Sequence, residues 1–182
     1  MQRISKHTET HQEIVERCKR GKRNAQFQLY QLYSKAMFNI CLRMLNNRED
    51  AEDMLQNVFL EVFANLHRFR YESSIGAWIK RITVNRCINF LKKKRIEWIE
   101  LSIQKIPVEE EEVNFEAQEL DVEKIKRVIP LLPDGYRVVF NLYLLEGYDH
   151  REISSILGIS EATSKSQLNR AKKRLKKLLN NA

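Results

Sequence analysis

Hydrophobic residues recur along this chain at intervals of three and four, the spacing that gives a helix one apolar face. After a largely polar stretch over the first ten residues, expected to fray, Ile14, Val15 and Cys18 share a face of a helix beginning near Glu13, and Gly21 is placed to end it. Asn24 is positioned to cap a second helix, whose apolar residues, from Ala25, Phe27, Leu29 and Tyr30 to Met44 and Leu45, cover a face broad enough to be largely buried. Asn46-Asn47-Arg48 breaks the pattern. A third helix, from about Glu49 to Leu66, lines up Ala51, Met54, Leu55, Val58, Val62 and Leu66 and leaves Glu52, Asp53, Gln56 and Glu61 outside. Aromatic and basic residues then alternate through His67-Arg68-Phe69-Arg70-Tyr71-Glu72-Ser73-Ser74, read as a loop. A fourth helix, roughly Ile75 to Lys94, has Ile75, Trp78, Ile79 and Ile82 on one side and Val84, Cys87, Ile88 and Leu91 nearly opposite, so it is expected to pack from two directions.

Periodicity lapses between Trp98 and Asn114, where Pro107 interrupts and Glu109 to Glu112 repel one another. It returns with Leu120, Ile125, Val128, Ile129 and Leu132. After Pro133-Asp134-Gly135 it continues through Val138, Val139, Phe140, Leu142, Tyr143 and Leu145, and Gly147 stops it. The last segment is the most informative. Ile153, Ile156 and Leu157 line a short helix, Gly158 permits a tight turn, Ile159 plugs the corner, and Ser160 is placed to cap a second helix running past Leu175. This is a helix-turn-helix, and a plain helical hairpin with a solvated basic tail is the bland alternative. The pattern as a whole predicts an all-α protein of two small helical domains, residues 1–96 and 120–182, joined by an acidic linker over 97–119.

Charge sharpens that division. Residues 1–96 carry 19 basic and 9 acidic side chains, residues 97–123 carry 1 and 10, and residues 124–182 carry 12 and 5, within a net charge of +8. Two basic lobes flank an acidic strap, which suits nucleic acid as a partner. Cys18, Cys41 and Cys87 are odd in number and far apart, as expected of reduced core thiols rather than disulfides or a zinc site. His7 and His11 are four apart but lack a third ligand, so neither metal nor cofactor is expected. His67 and His150 belong to no catalytic arrangement, and nothing argues for an enzyme. With no apolar run near the ~20 residues that span a bilayer and no signal peptide, the chain is expected to be soluble and cytoplasmic.

These features, in this order, resemble the sigma-70 family of bacterial transcription initiation factors, specifically its small two-domain extracytoplasmic-function (ECF) type. Asp50-Ala51-Glu52-Asp53-Met54-Leu55-Gln56-Asn57-Val58-Phe59 is similar to the family's polymerase-binding helix, and Ala77-Trp78-Ile79-Lys80-Arg81-Ile82-Thr83-Val84-Asn85 to its promoter-melting and −10-reading helix. Leu132 to Phe140, Glu146-Gly147-Tyr148, Glu152-Ile153 and Leu157-Gly158-Ile159-Ser160 resemble its −35-binding domain. Ser164 and Gln167 stand where the family often has Val and Arg, Ser154 where it has Ala, and Asn89 where it has Asp.

The resemblance implies that Asp50, Asp53, Gln56 and Asn57 dock on the clamp coiled coil of core RNA polymerase, whose flap is also a partner, although an acidic helix face is by itself often only solvated. Phe69, Arg70, Tyr71, Lys80, Arg81, Asn85 and Arg86 would serve the −10 element, with aromatic faces for unstacked bases and cations for phosphates. Trp78 reads more readily as core than as a base contact. Lys92 to Arg95 would grip the backbone. In the recognition helix, Ser160, Thr163, Lys165, Ser166, Gln167 and Arg170 would approach the −35 element, Gln167 being able to pair bidentately with adenine. Arg137 and Arg151 would join Arg170 on phosphates, and Arg137 could instead cap or salt-bridge within its domain. The acidic linker would mimic nucleic acid in the RNA exit path or act as a spacer. An anti-sigma factor, commonly membrane-bound in this family, is an expected partner beside promoter DNA. A stand-alone repressor or activator built on the same helix-turn-helix is the main alternative, and a DNA-processing enzyme a third.

Overall fold

The computed structural model describes residues 2–94 and 122–180, with side chains from His11 to Lys94 and from Lys124 to Asn180. The expected linker at 97–119, together with Arg95 and Leu120, lies outside the described residues. The described secondary structure is helical, and the chain divides into two compact units, Met1–Phe90 and Leu91–Ala182.

The first unit begins with α1 (Gln2–Lys19), which starts well before the expected Glu13. Val15 and Cys18 are buried, and once a packed turn exists, extending a helix through polar residues costs little. Gly21, at φ 73°, turns the chain, and α2 (Arg23–Leu45) follows. Its N-cap is Lys22 and not Asn24: the Lys22 carbonyl already accepts from the amides of Ala25 and Gln26, so Asn24 lies in the first turn. α2 packs on α1 and α3 along one side. The buried set, Ala25, Leu29, Met37, Ile40, Cys41, Met44 and Leu45, is therefore narrower than the apolar face the sequence offers, and Phe27, Tyr30 and Leu32 are exposed where burial was expected.

Asn46, in the left-handed region, closes α2, and the Asn47 side chain accepts from the Asp50 amide at 2.9 Å to open α3 (Arg48–Asn65). The expected stripe of α3 is buried through Leu66, which begins a 3-10 turn to Arg68. α4 (Ile75–Lys93) is capped by Ser74, whose hydroxyl accepts from the Ala77 amide at 3.1 Å. Ile75 and Ile79 are buried on one side and Val84, Cys87, Ile88 and Leu91 on the other, as two-sided packing requires. Thr83 is buried between them, its hydroxyl donating to the Ile79 carbonyl at 2.9 Å.

The second unit contains α5 (Val122–Val128), a 3-10 turn (Ile129–Leu131), α6 (Asp134–Phe140), a π-helical turn (Asn141–Leu145), α7 (His150–Leu157) and α8 (Glu161–Asn180). The expected single helix through Leu145 thus widens after Phe140. Leu142 stays buried while Leu144 and Leu145 turn to solvent. α5, α6 and α7 all pack on α8, which is the spine of this unit.

The orientation of α2 is directly testable. Leu29→Ala, at a side chain with no exposure, should cost about 2–5 kcal/mol in denaturant unfolding. Phe27→Ala, at 61% exposure, should cost under about 0.5 kcal/mol. Equal losses would mean that α2 is rotated from this placement.

Candidate nucleic-acid and partner interfaces

Local hydrogen bonding builds the helix-turn-helix. Asp149 accepts from the Glu152 amide at 2.7 Å while the Glu152 carboxylate accepts from the Asp149 amide at 2.9 Å, a reciprocal box that fixes where α7 starts. α7 ends at Gly158, whose φ of 73° a side chain would resist, and the amides of Gly158 and Ile159 both return to the Ser154 carbonyl. Ser160 then caps α8 by accepting from the Thr163 amide at 3.0 Å, so its hydroxyl is committed to starting the helix.

α8 buries Ser164, Gln167, Leu168, Ala171 and Leu175, a stripe at intervals of three and four. At ~100° per residue the opposite face carries Ala162, Ser166 and Lys173, flanked by Thr163, Lys165 and Arg170. Thr163, Ser166 and Arg170 are half-buried, and Lys165 is exposed. Gln167 does not belong to this outward set. It is only 4% exposed, and its Oε1, buried without a hydrogen-bond partner, lies where a Cβ on Gly135 would come within 3.8 Å. The expectation that Gln167 pairs with adenine is corrected, because the residue shares the core face with Leu168. Of the two readings of Arg137, the structure supports the internal one: buried at 3% exposure, it donates to the Leu132 carbonyl at 2.9 Å and pairs with Asp134, fastening the turn into α6. Arg151 is exposed.

His150 holds the two helices of the motif together. Its Nδ1 is 2.8 Å from the hydroxyl of buried Ser164, and its ring stacks on Tyr143 with centroids 4.5 Å apart. Burial, and after it the charge of Lys165, pushes the His150 pKa down. The sequence signal was a polar residue at a core position of α8 beside a His at the start of α7.

In the first unit, the loop after α3 is organised by α1. Phe69 is 4% exposed, with Trp78 5.4 Å away on one side and Tyr71 4.8 Å away on another, so its expected role as a stacking face for bases is corrected to that of a support. Tyr71 is 40% exposed and sits at φ 62°, an uncommon backbone for a residue of its size. Its hydroxyl donates to Glu16 at 2.5 Å, and the Lys19 amine lies 4.5 Å from its ring centre while donating to the Phe69 carbonyl at 3.1 Å. The Glu16 carboxyl is held below its ordinary pKa, first by Tyr71 and then by Lys19, and burial together with Glu16 raises the Tyr71 hydroxyl to about 12. Glu16 and Lys19 were not among the expected site residues. They precede the loop by some fifty residues, a contact that no local pattern announces.

On α4, Arg81, Asn85 and Lys92 are exposed and, at ~100° per residue, line one stripe with half-buried Trp78 near its start. Trp78 touches Phe69, so the loop and the stripe are continuous. Lys80 is half-buried and Arg86 is paired with Glu61, and both lie about 100° off the stripe beside their neighbours Arg81 and Asn85. Arg70 is exposed in the loop. On α3, Asp53, Gln56 and Asn57 are exposed and Asp50 half-buried, and the Asn57 amide donates to the Asp53 carbonyl at 2.9 Å. The same ridge continues to Leu60, 69% exposed, an apolar anchor that the polar motif concealed.

Cys18, Cys41 and Cys87 are free and buried, and contact with Cys41 together with burial raises the Cys87 thiol far above its ordinary range. Among the described residues no cluster suited to a metal occurs, and no helix is long and apolar enough to cross a membrane.

Comparison with known proteins places this geometry in context. The family model for sigma-70 region 2 matches residues 29–96, and that for sigma-70 region 4 matches residues 123–175. The chain is 30% identical over 155 residues to the ECF RNA polymerase sigma factor SigM of Bacillus subtilis, covering 84% of this chain and 94% of that relative. It is 34% identical over 135 residues to the RNA polymerase sigma factor SigZ of the same organism, covering 74% and 76%. Among solved structures, the sigma factor RpoE of Bartonella quintana, in complex with the anti-sigma factor NepR, aligns with a TM-score of 0.55 at 24% identity, covering 84% of this chain and 95% of that one, a likeness of fold.

The His150 contact gives a pH signature. Because the folded pKa is lowered, the folded state binds fewer protons than the unfolded state, whose imidazole titrates near ~6.5. The contribution is therefore complete above that value and lost as pH falls through the folded pKa. The melting temperature of the second unit should drop between neutral and mildly acidic pH, and His150→Phe should flatten that drop. A drop of equal size in the variant would remove His150 as its cause.

Proposed function

The chain belongs to the extracytoplasmic-function sigma factors of the sigma-70 family, and from this premise we propose how its residues divide the work of initiation. As a sigma factor it is not an enzyme. It binds core RNA polymerase and directs promoter-specific initiation, while the polymerase makes the RNA. In our reading, the ridge of Asp50, Asp53, Gln56, Asn57 and Leu60 docks on the polymerase clamp, its carboxylates complementing a basic surface and Leu60 supplying an apolar centre. Tyr71, with Arg70 beside it, presents an aromatic face to an unstacked base of the −10 element, and Arg81, Asn85 and Lys92 follow the strand along α4. α8 enters the major groove at the −35 element with Ser166 and Thr163 toward base edges and Lys165, Arg170 and Lys173 toward phosphates.

The observation that supports this division best is the continuity from Tyr71 through Phe69 and Trp78 to the α4 stripe, in the same chain as a helix-turn-helix that is capped at both of its starts. An effector-gated repressor has no use for the first of these surfaces. The chain works in the cytoplasm, where the polymerase is. An anti-sigma factor controls it, as NepR partners the RpoE relative, and a membrane-bound form of that regulator is what the resemblance suggests.

Titration of purified core polymerase tests the assignment. Asp53→Ala/Gln56→Ala should weaken core binding by ~10-fold without changing the unfolding midpoint. Ser166→Ala/Arg170→Ala should leave core binding intact and reduce run-off transcription from promoters that depend on the −35 element. A chain that ignores core polymerase yet binds a specific duplex tightly on its own would be a stand-alone regulator instead.

A further inference from the structure

The corner between α1 and α2 carries a feature that none of the surfaces described so far uses. Arg17, Arg20, Lys22, Arg23 and Asn24 line an open cavity of about 410 Å³, so four cations surround one space large enough for a hydrated anion. Arg17 is half-buried and the other three cations are exposed, and among the described residues no hydrogen bond or ion pair occupies the charged groups of these four. The nearest carboxylate along α1, Glu16, is held by Tyr71 and Lys19.

The backbone adds to the positive field. Lys22 caps α2 without any side-chain acceptor, and its own amide already bonds to the Arg17 carbonyl. The amides of Arg23 and Asn24, the two first-turn residues that line the cavity, lie at the start of a helix 23 residues long, and there they and the helix dipole favour an anion.

Position along α1 indicates which anion. Glu16 and Lys19 fasten Tyr71, and the charge of Arg20 acts on the Glu16 carboxylate, so the cavity begins where the Tyr71 support ends. We propose that the α1–α2 corner is a phosphate site that holds the promoter DNA backbone next to the strand segment engaged by Tyr71. This rests on the assignment of Tyr71 to the melted −10 element. The site carries no sequence information: guanidinium and ammonium groups and helix amides bind any backbone phosphate. Its effect is to anchor the strand on α1 while the loop and α4 take the bases, adding affinity that depends on salt and not on sequence.

The test uses holoenzyme assembled from core polymerase and the full chain, on a promoter from which wild-type holoenzyme makes a run-off transcript. Promoter affinity is measured against salt concentration for wild type, Arg20→Ala/Arg23→Ala and, as a control for general charge, Lys35→Ala at an exposed cation farther along α2. The double variant should bind ~10-fold more weakly at low salt, and its log–log slope should fall by about 0.7 to 0.9 for each phosphate the variant no longer neutralises. Core binding should be unchanged and Lys35→Ala should follow wild type. A double variant with the wild-type slope overturns the site. So does a slope that Lys35→Ala lowers equally, since general charge then explains it. Inorganic tripolyphosphate bound by the free wild-type chain and not by the double variant, with no difference in DNA binding, would also overturn it in favour of a soluble anion. If wild-type holoenzyme makes no transcript from any promoter tried, the function assignment fails and the site falls with it, whereas an active wild type with an unaltered double variant overturns the site alone.

Discussion

The helices that carry chemistry in this protein have apolar faces that must leave water, and committing those faces to the core decides which residues are left for a partner. On α8, burying Leu168, Ala171 and Leu175 draws Ser164 and Gln167 inward with them and turns Ser166 and Lys173 outward. On α3, burying Met54, Val58 and Val62 leaves Asp53, Asn57 and Leu60 on a common ridge. On α4, burying Ile79, Cys87 and Ile88 leaves Arg81, Asn85 and Lys92 on an exposed stripe. A one-residue shift in any of these registers would rotate the surface by about 100° and exchange exposed residues for core.

Much of this was legible from spacing. The stripe of α3, the two-sided packing of α4, the Asn46-Asn47 break, the αL turn at Gly158 and the Ser160 cap all follow from local patterns of apolar and capping residues, and all are present. The same rule, applied strictly, places Gln167 on the face of Leu168. Its amide suits adenine, but register outranks chemistry at such a position. The breadth of α2 has a related cause: apolar residues all round a helix record what it can bury, whereas only its neighbours decide what it does bury, and Phe27 and Leu32 stay 61% and 49% exposed.

What was not legible is long-range. Glu16 and Lys19 reach the loop of Phe69 and Tyr71 across fifty residues of sequence, and without them Tyr71 would have little reason to keep a left-handed backbone. Arg137 had two readings in sequence, a phosphate contact or an internal clamp, and only the position of the Leu132 carbonyl and Asp134 decides between them. The Ser164 hydroxyl likewise gains its meaning from His150, on the preceding helix of the motif. In each case a polar side chain ties one segment of its unit to another, a role that its own local sequence does not announce.

The central claim is that two separate units of one chain read two promoter elements while both are held by the polymerase. Run-off transcription by holoenzyme on a series of promoters, with base pairs added or removed between the −10 and −35 elements, measures this directly. A single spacing optimum with a steep loss on either side of it is expected, because the polymerase fixes where each unit sits. Transcription indifferent to spacing, or unaffected when either element is scrambled, would contradict it.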